Sequence, residues 1–145
     1  MLHLTRTALL VSSVVLALHH VVPEPPVVAS PDRDAIIQTI NNFYVGDHTG
    51  SIEHKQKSMH PRGAFRFVDK AGNYQESTFQ LVASKGDTLY KEELLSIEIY
   101  ETVALARLRL ASKRRPDAEY KLMTLHKTNG AWLITGISWG WGVTQ

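Results

Sequence analysis

Residues 120–139 read YKLMTLHKTNGAWLITGISW, two alternating runs joined at Thr128-Asn129-Gly130. Asparagine and glycine accept the positive φ angles of the tight turns that join antiparallel strands, so this stretch predicts a hairpin, Tyr120 to Lys127 and Ala131 to Trp139. Upstream, Leu95, Ile97 and Ile99 alternate with Ser96, Glu98 and Tyr100. The run from Val103 to Ala111 sets Ala104, Ala106, Leu108 and Leu110 against Arg107 and Arg109. Both are strands by the same period-two logic. Further back, Ala64-Phe65-Arg66-Phe67-Val68 reads as a strand and Asp69 to Asn73 as its turn. Between them, Glu76 to Ser84 carries Phe79, Leu81 and Val82, which fit a short helix or a strand equally.

Before Pro61 the period is helical. Ser30 suits an N-cap, Pro31 the first helical position, and Asp32 and Asp34 oppose the positive end of the helix dipole. Ile36, Ile37, Ile40, Phe43 and Tyr44 then share one face, and Gly46 is expected to end the helix. A shorter helix is expected from Ser51 through Ile52, Gln56 and Met59, ended by Pro61. Two helices followed by a series of hairpins predict an α+β fold, the helices packed on one face of an antiparallel sheet.

The whole chain has 145 residues, room for one ordinary domain. It is 43% hydrophobic and 21% charged, a globular composition that excludes a disordered or collagen-like chain. The absence of cysteine excludes a disulfide scaffold, a cysteine-bound zinc and a lipidated cysteine. Sixteen Lys and Arg against fourteen Asp and Glu give a net charge of +2, too balanced to make nucleic acid the default partner. Arg6 precedes the uncharged stretch Thr7 to Leu18, which is shorter than the roughly 20 residues of a bilayer-spanning helix. The segment fits a secretory signal over residues 1–29, with Val27-Val28-Ala29 offering a cut before Ser30. That reading leaves residues 30–145 as an exported domain, periplasmic or extracellular, with no stable membrane span. The alternatives are an uncleaved N-terminal anchor and a buried helix.

The order of helix, Gly46-Asp47, short helix, Met59-His60-Pro61, a Phe-rich strand and long strands resembles the nuclear-transport-factor-2-like superfamily. Within it, Glu119-Tyr120-Lys121-Leu122 running on to Lys127-Thr128-Asn129-Gly130-Ala131-Trp132-Leu133-Ile134 is similar to the branch named for lumazine binding. The resemblance covers roughly Asp32 to Trp139. It implies a cystatin-like α+β roll, in which a cone-shaped curved sheet wraps the long first helix and leaves a pocket at its open end. It also implies association of two cones through their sheets, as a homodimer. Lumazine binding itself is not carried over.

Some members of that superfamily are isomerases, dehydratases or cyclases of cyclic ketones, which need a carboxylate base and a buried proton donor. Aligning on Gly46-Asp47 and Asn129-Gly130 sets Thr39, Phe67 and Leu122 where a ketosteroid isomerase carries its tyrosine, base and second acid. None of the three has the right chemistry, which disfavours catalysis of that kind. The remaining catalytic candidates are Asp69 and His60 as base, with Tyr44 or Tyr120 as donor. Asp69 also suits a solvated turn, and His60 a helix end. His48, His54, His60 and His126 have no convergent partners at metal-ligand spacing, so no metal is expected and no cofactor is implied. Glu53 and Lys57 read as an exposed i, i+4 pair. Arg107, Arg109 and Lys113-Arg114-Arg115 form a basic patch that suits a solvated face. Aromatic residues point most clearly to a ligand: Tyr44, Phe65, Phe67, Tyr120 and Trp139 are the candidate binding residues, with Phe43 and Phe79 beside them. A pocket lined by them would take a small, largely apolar molecule with one or two polar atoms. Alternatives to that binding function are an enzyme of the ketosteroid-isomerase or polyketide-cyclase kind and a dimerisation module with a vestigial pocket.

Overall fold

A computed structural model describes residues 30–69, 71–86, 90–112 and 115–141, with the side chains of 112–118 and 141 excepted. The proposed export segment 1–29 lies outside them, as do Lys113 and Arg114 and the side chain of Arg115.

Helix α1 runs from Pro31 to Thr49, with Asp32 and Asp34 in its first turn and Ile36, Thr39, Ile40, Phe43 and Gly46 on its buried face. Gly46 does not end it. The stop is Gly50, whose left-handed φ of 77° costs nothing without a side chain, and whose amide donates to the Gly46 carbonyl. Gly46 is instead where the second helix crosses: a Cβ there would come within 2.9 Å of Lys55 Cγ and its backbone nitrogen. Helix α2, Ile52–Ser58, is capped by Ser51, which accepts from the His54 amide. It stops before Pro61, because the chain turns into strand β1 (Met59–Val68) already at Met59. Pro61 sits in the break of strand pairing between Met59 and Ala64, where its missing N–H is no loss.

Strand β2 (Tyr74–Thr78) returns from the Asp69 turn and takes in the start of the ambiguous stretch Glu76 to Ser84, the rest of which is irregular chain that buries Phe79. Strands β3 (Lys91–Tyr100), β4 (Val103–Ser112), β5 (Arg115–Thr128) and β6 (Ala131–Trp141) follow as a meander. The six strands stand in the order β2-β1-β6-β5-β4-β3. The expected all-antiparallel sheet is therefore mixed: β1 and β6 run parallel. The chain crosses from β2 to the far edge at β3, then meanders back until β6 meets β1. Register shifts in β3–β4, β4–β5 and β5–β6 act as bulges that bend the sheet around α1.

The inner face follows from the register. Ile99, Ala104, Leu125 and Ile134 form one cross-strand row, Ile97, Ala106, Met123 and Ile137 the next, and Ile36, Ile40 and Phe43 of α1 pack with them in the core. Fully burying a side chain of this size contributes about 1.5–3 kcal/mol, so these rows carry most of the fold. At one end a polar knot ties the helix start to the last hairpin. Asp32 Oδ1 accepts from Lys127 Nζ at 2.6 Å and from Trp132 Nε1 at 3.0 Å. Those two hydrogen bonds, Lys127 first, hold the Asp32 carboxyl below its ordinary range. Thr39 Oγ1 shares its proton between the carbonyls of Trp132 and Ala35. No helix among the described residues is long and apolar enough to cross a membrane.

Candidate functional site

At the opposite end, the last turns of α1 put Tyr44, Asp47 and His48 on one face by their i, i+3, i+4 spacing. The inner row of the sheet there is Glu92, Leu110 and Glu119, followed by Leu94, Leu108, Lys121 and Trp139. These elements enclose a cavity of about 100 Å³ lined by Tyr44, Asp47, His48, Tyr90, Glu92, Leu110 and Lys121. With about 30 Å³ per liquid water, that is space for a handful of heavy atoms.

Among the described residues, neither the Tyr44 hydroxyl nor Glu92 Oε1, both sealed from solvent, makes a hydrogen bond. His48 Nε2 lies 2.9 Å from Glu92 Oε1, within ion-pair distance. Burial pushes the Tyr44 phenol far above its ordinary range, and the negative charges of Glu92, Asp47 and Glu119 push the same way. It is therefore a neutral donor at any physiological pH. Lys121 is 18% exposed and 4.0 Å from Glu119 Oε1. Burial lowers its pKa, against the opposing pull of Glu119, Asp47 and Glu92.

Asp47 also borders a second cavity, of about 130 Å³, lined by Phe43, Lys55, Met59, Phe65, Gln80 and Ser84. Lys55, 5% exposed, donates to the carbonyls of Val82 (3.0 Å) and Ser84 (2.7 Å) and to Ser84 Oγ (3.1 Å). It thereby straps residues 79–86 over the helices. Gly86 completes the strap: its amide donates to the Asp47 carbonyl at 2.8 Å, and a Cβ there would collide with the Asp47 carboxylate.

The residues singled out in the sequence are divided among several places. Tyr44 lines the first cavity and Phe65 the second. Phe67 stacks on Trp139 at 4.3 Å, and Trp139 meets Phe65 edge-on at 5.8 Å; neither Phe67 nor Trp139 lines either cavity. Tyr120 stands on the outer face of the sheet, 38% exposed, because its neighbours Glu119 and Lys121 take the inward positions. His60 lines neither cavity, and its Nδ1 accepts from the Arg62 amide. Asp69 builds the β1–β2 turn: Oδ1 accepts from the amides of Ala71 and Asn73, and Oδ2 from Gln75 Nε2, each at 2.9 Å. The Asn73 amide first, then Gln75, hold its carboxyl below the ordinary range, the opposite of what a general base needs. Thr39 is committed to backbone carbonyls, and Leu122 faces outward, so the inward residue at that point of β5 is Lys121. On the outer face Arg109 is paired with Glu93 at 2.6 Å, and Lys57 with Glu53 at 2.6 Å on α2. No metal-sized cluster of His and carboxylates occurs among the described residues.

Composition had not pointed to Asp47, His48, Glu92, Glu119 or Lys121. The available signal was phase: counting back by twos from the apolar Met123 and Leu125 turns Lys121 and Glu119 inward.

No family model matches the sequence, and no curated protein matches it. Solved structures do. An NTF2-like protein of unknown function from Shewanella baltica superposes with a TM-score of 0.64 at 14% identity, over 78% of this chain and 95% of that one. One from Methylobacillus flagellatus gives 0.64 at 17% identity, over 80% and 96%. A cystatin-like fold protein from Burkholderia xenovorans gives 0.58 at 9% identity, over 77% and 95%. The fold is thus the nuclear-transport-factor-2-like α+β roll.

Proposed function

We propose that this protein binds a small molecule at the polar end of the roll, one that combines an apolar part with at least one hydrogen-bond donor. A single observation carries the proposal: in the wall of one cavity Tyr44 Oη is buried with no hydrogen bond among the described residues, beside Glu92 Oε1, which also makes none and has only the His48 ion-pair contact at 2.9 Å. Each such group costs about 1–3 kcal/mol when left unpaired, a cost a bound guest removes. An ionised carboxylate oxygen can only accept, so the guest must donate to Glu92, while Tyr44 can donate to an oxygen of the guest. Leu110 and the rings of Tyr44 and Tyr90 offer the apolar contacts.

Tyr44→Phe separates binding from folding. Removing the unpaired hydroxyl should leave the free protein as stable or about 1 kcal/mol more stable. Binding of propane-1,2-diol, a donor-bearing probe of suitable size, should weaken about tenfold, equivalent to one lost hydrogen bond. Thermal melts and an NMR titration read the two effects. A variant that binds the diol as well as the parent does would remove Tyr44 from the site.

The proposal extends to location and assembly. The charge-free stretch behind Arg6 supports export, and the exposed Leu95, Tyr120 and Leu122 on the outer sheet face support pairing with a second copy there. Protein recovered from outside the cytoplasm should begin at Ser30 and sediment as a dimer. An intact N-terminus or a monomer would remove the corresponding part.

A further inference from the structure

Three of the lysines among the described residues have hydrogen-bond acceptors. Lys55 donates to three acceptors, Lys57 to Glu53, and Lys127 to Asp32. Lys121 differs. Lys121 lines the Tyr44–Glu92 cavity, and its amine makes no hydrogen bond among the described residues and has its carboxylate contact, Glu119, at 4.0 Å. The groups around it are Tyr44, Asp47 and His48 from α1, Tyr90 and Glu92 at the start of β3, Leu110 from β4, and Glu119 on its own strand.

We propose that Lys121 is a nucleophile that captures a small, neutral aldehyde or ketone in this cavity as an imine. The inference rests on the ligand-binding reading above and specifies the class of guest. Burial disfavours the ammonium form, which raises the share of free amine at neutral pH. The Nζ lone pair attacks the carbonyl carbon and forms a C–N bond while the π pair moves to oxygen. The Tyr44 hydroxyl is placed in the same wall to hydrogen-bond that oxygen, and the His48–Glu92 pair to relay protons. The C–O bond then breaks. Both amine protons depart with the oxygen as one water, so no oxidant or reductant is required. An imine that takes up a proton from solution becomes a cation, which Asp47, Glu92 and Glu119 stabilise. The same carboxylates repel an anionic keto acid.

Hydroxyacetone, which has one carbonyl and one hydroxyl, is the test probe. The whole protein is treated with a limiting amount at pH 7 in the presence of cyanoborohydride, digested, and mapped by mass spectrometry. Lys121 should gain one reduced hydroxyacetone unit at least about tenfold ahead of the exposed Lys57, the margin that marks capture in the cavity over surface labelling. Lys121→Arg should lose that product and leave Lys57 labelling unchanged. Tyr44→Phe should slow labelling at Lys121 alone. Labelling of Lys121 no faster than of Lys57 would overturn the proposal. Propane-1,2-diol, similar in size but without a carbonyl, keeps the two readings apart. If the diol binds but hydroxyacetone is not trapped, only the imine falls; if the diol fails as well, the binding site falls with it.

Discussion

Trp132→Ala should lower the stability of the free protein by about 3–5 kcal/mol, the usual cost of emptying a buried tryptophan site. Trp132 is 2% exposed. Its indole donates to Asp32 Oδ1, its carbonyl accepts from Thr39, and the Lys127 ammonium lies 5.9 Å from its ring centre. Truncation therefore opens a cavity and also removes a hydrogen bond from the carboxylate that anchors the first turn of α1. Domains of this size have about 5–15 kcal/mol in all, so the loss is a large fraction of the total. The melting temperature should fall by more than about 10 °C. Urea titration should show the midpoint lowered with the slope unchanged, provided the denatured state is unaffected. Trp132→Phe, which keeps most of the volume and loses the N–H, should cost far less. A loss of under about 1 kcal/mol for the alanine variant would mean that the helix is held elsewhere.

Lys55→Met should cost about 2–3 kcal/mol, and its effect should be local. Methionine keeps a flexible apolar stem against Gly46 but provides none of the three donated hydrogen bonds. The carbonyls of Val82 and Ser84 are then left to find water, which opens the strap over the second cavity. Amide hydrogen exchange is the discriminating measurement. The Gly86 amide, bonded to the Asp47 carbonyl, should lose protection, while amides shared by β4 and β5 keep theirs. Uniformly faster exchange would show that Lys55 supports the whole core rather than the strap.

The features most legible in the sequence were those set by local rules. Asn129 and Gly130 adopt φ of 52° and 80°, as the tight turn requires, and the alternation on either side gives the hairpin. The apolar face of α1 follows from helical spacing alone. Less legible were features that depend on distant partners. Gly46 has the composition of a helix stop, yet its place beneath Lys55 depends on a chain crossing that no local window contains. Pro61 has the composition of a helix end, yet it lies in a strand whose neighbour is some seventy residues away, across the parallel pairing with β6. The polar end was hidden for another reason. In Glu119-Tyr120-Lys121-Leu122 the charged residues face in and the apolar ones out, against the usual preference, because the phase is fixed by Met123 and Leu125. Composition therefore favoured the aromatic residues, among which Tyr44 does line the cavity, but it gave no sign of Glu92 opposite.

The side-by-side alignment of β1 with β6 has a temporal consequence. During synthesis β1 and β2 emerge well before β6, the strand that covers the other flank of β1. Closure of the long loop between them raises the contact order and slows folding. A partly made chain would keep one flank of β1 unpaired until β6 has been made.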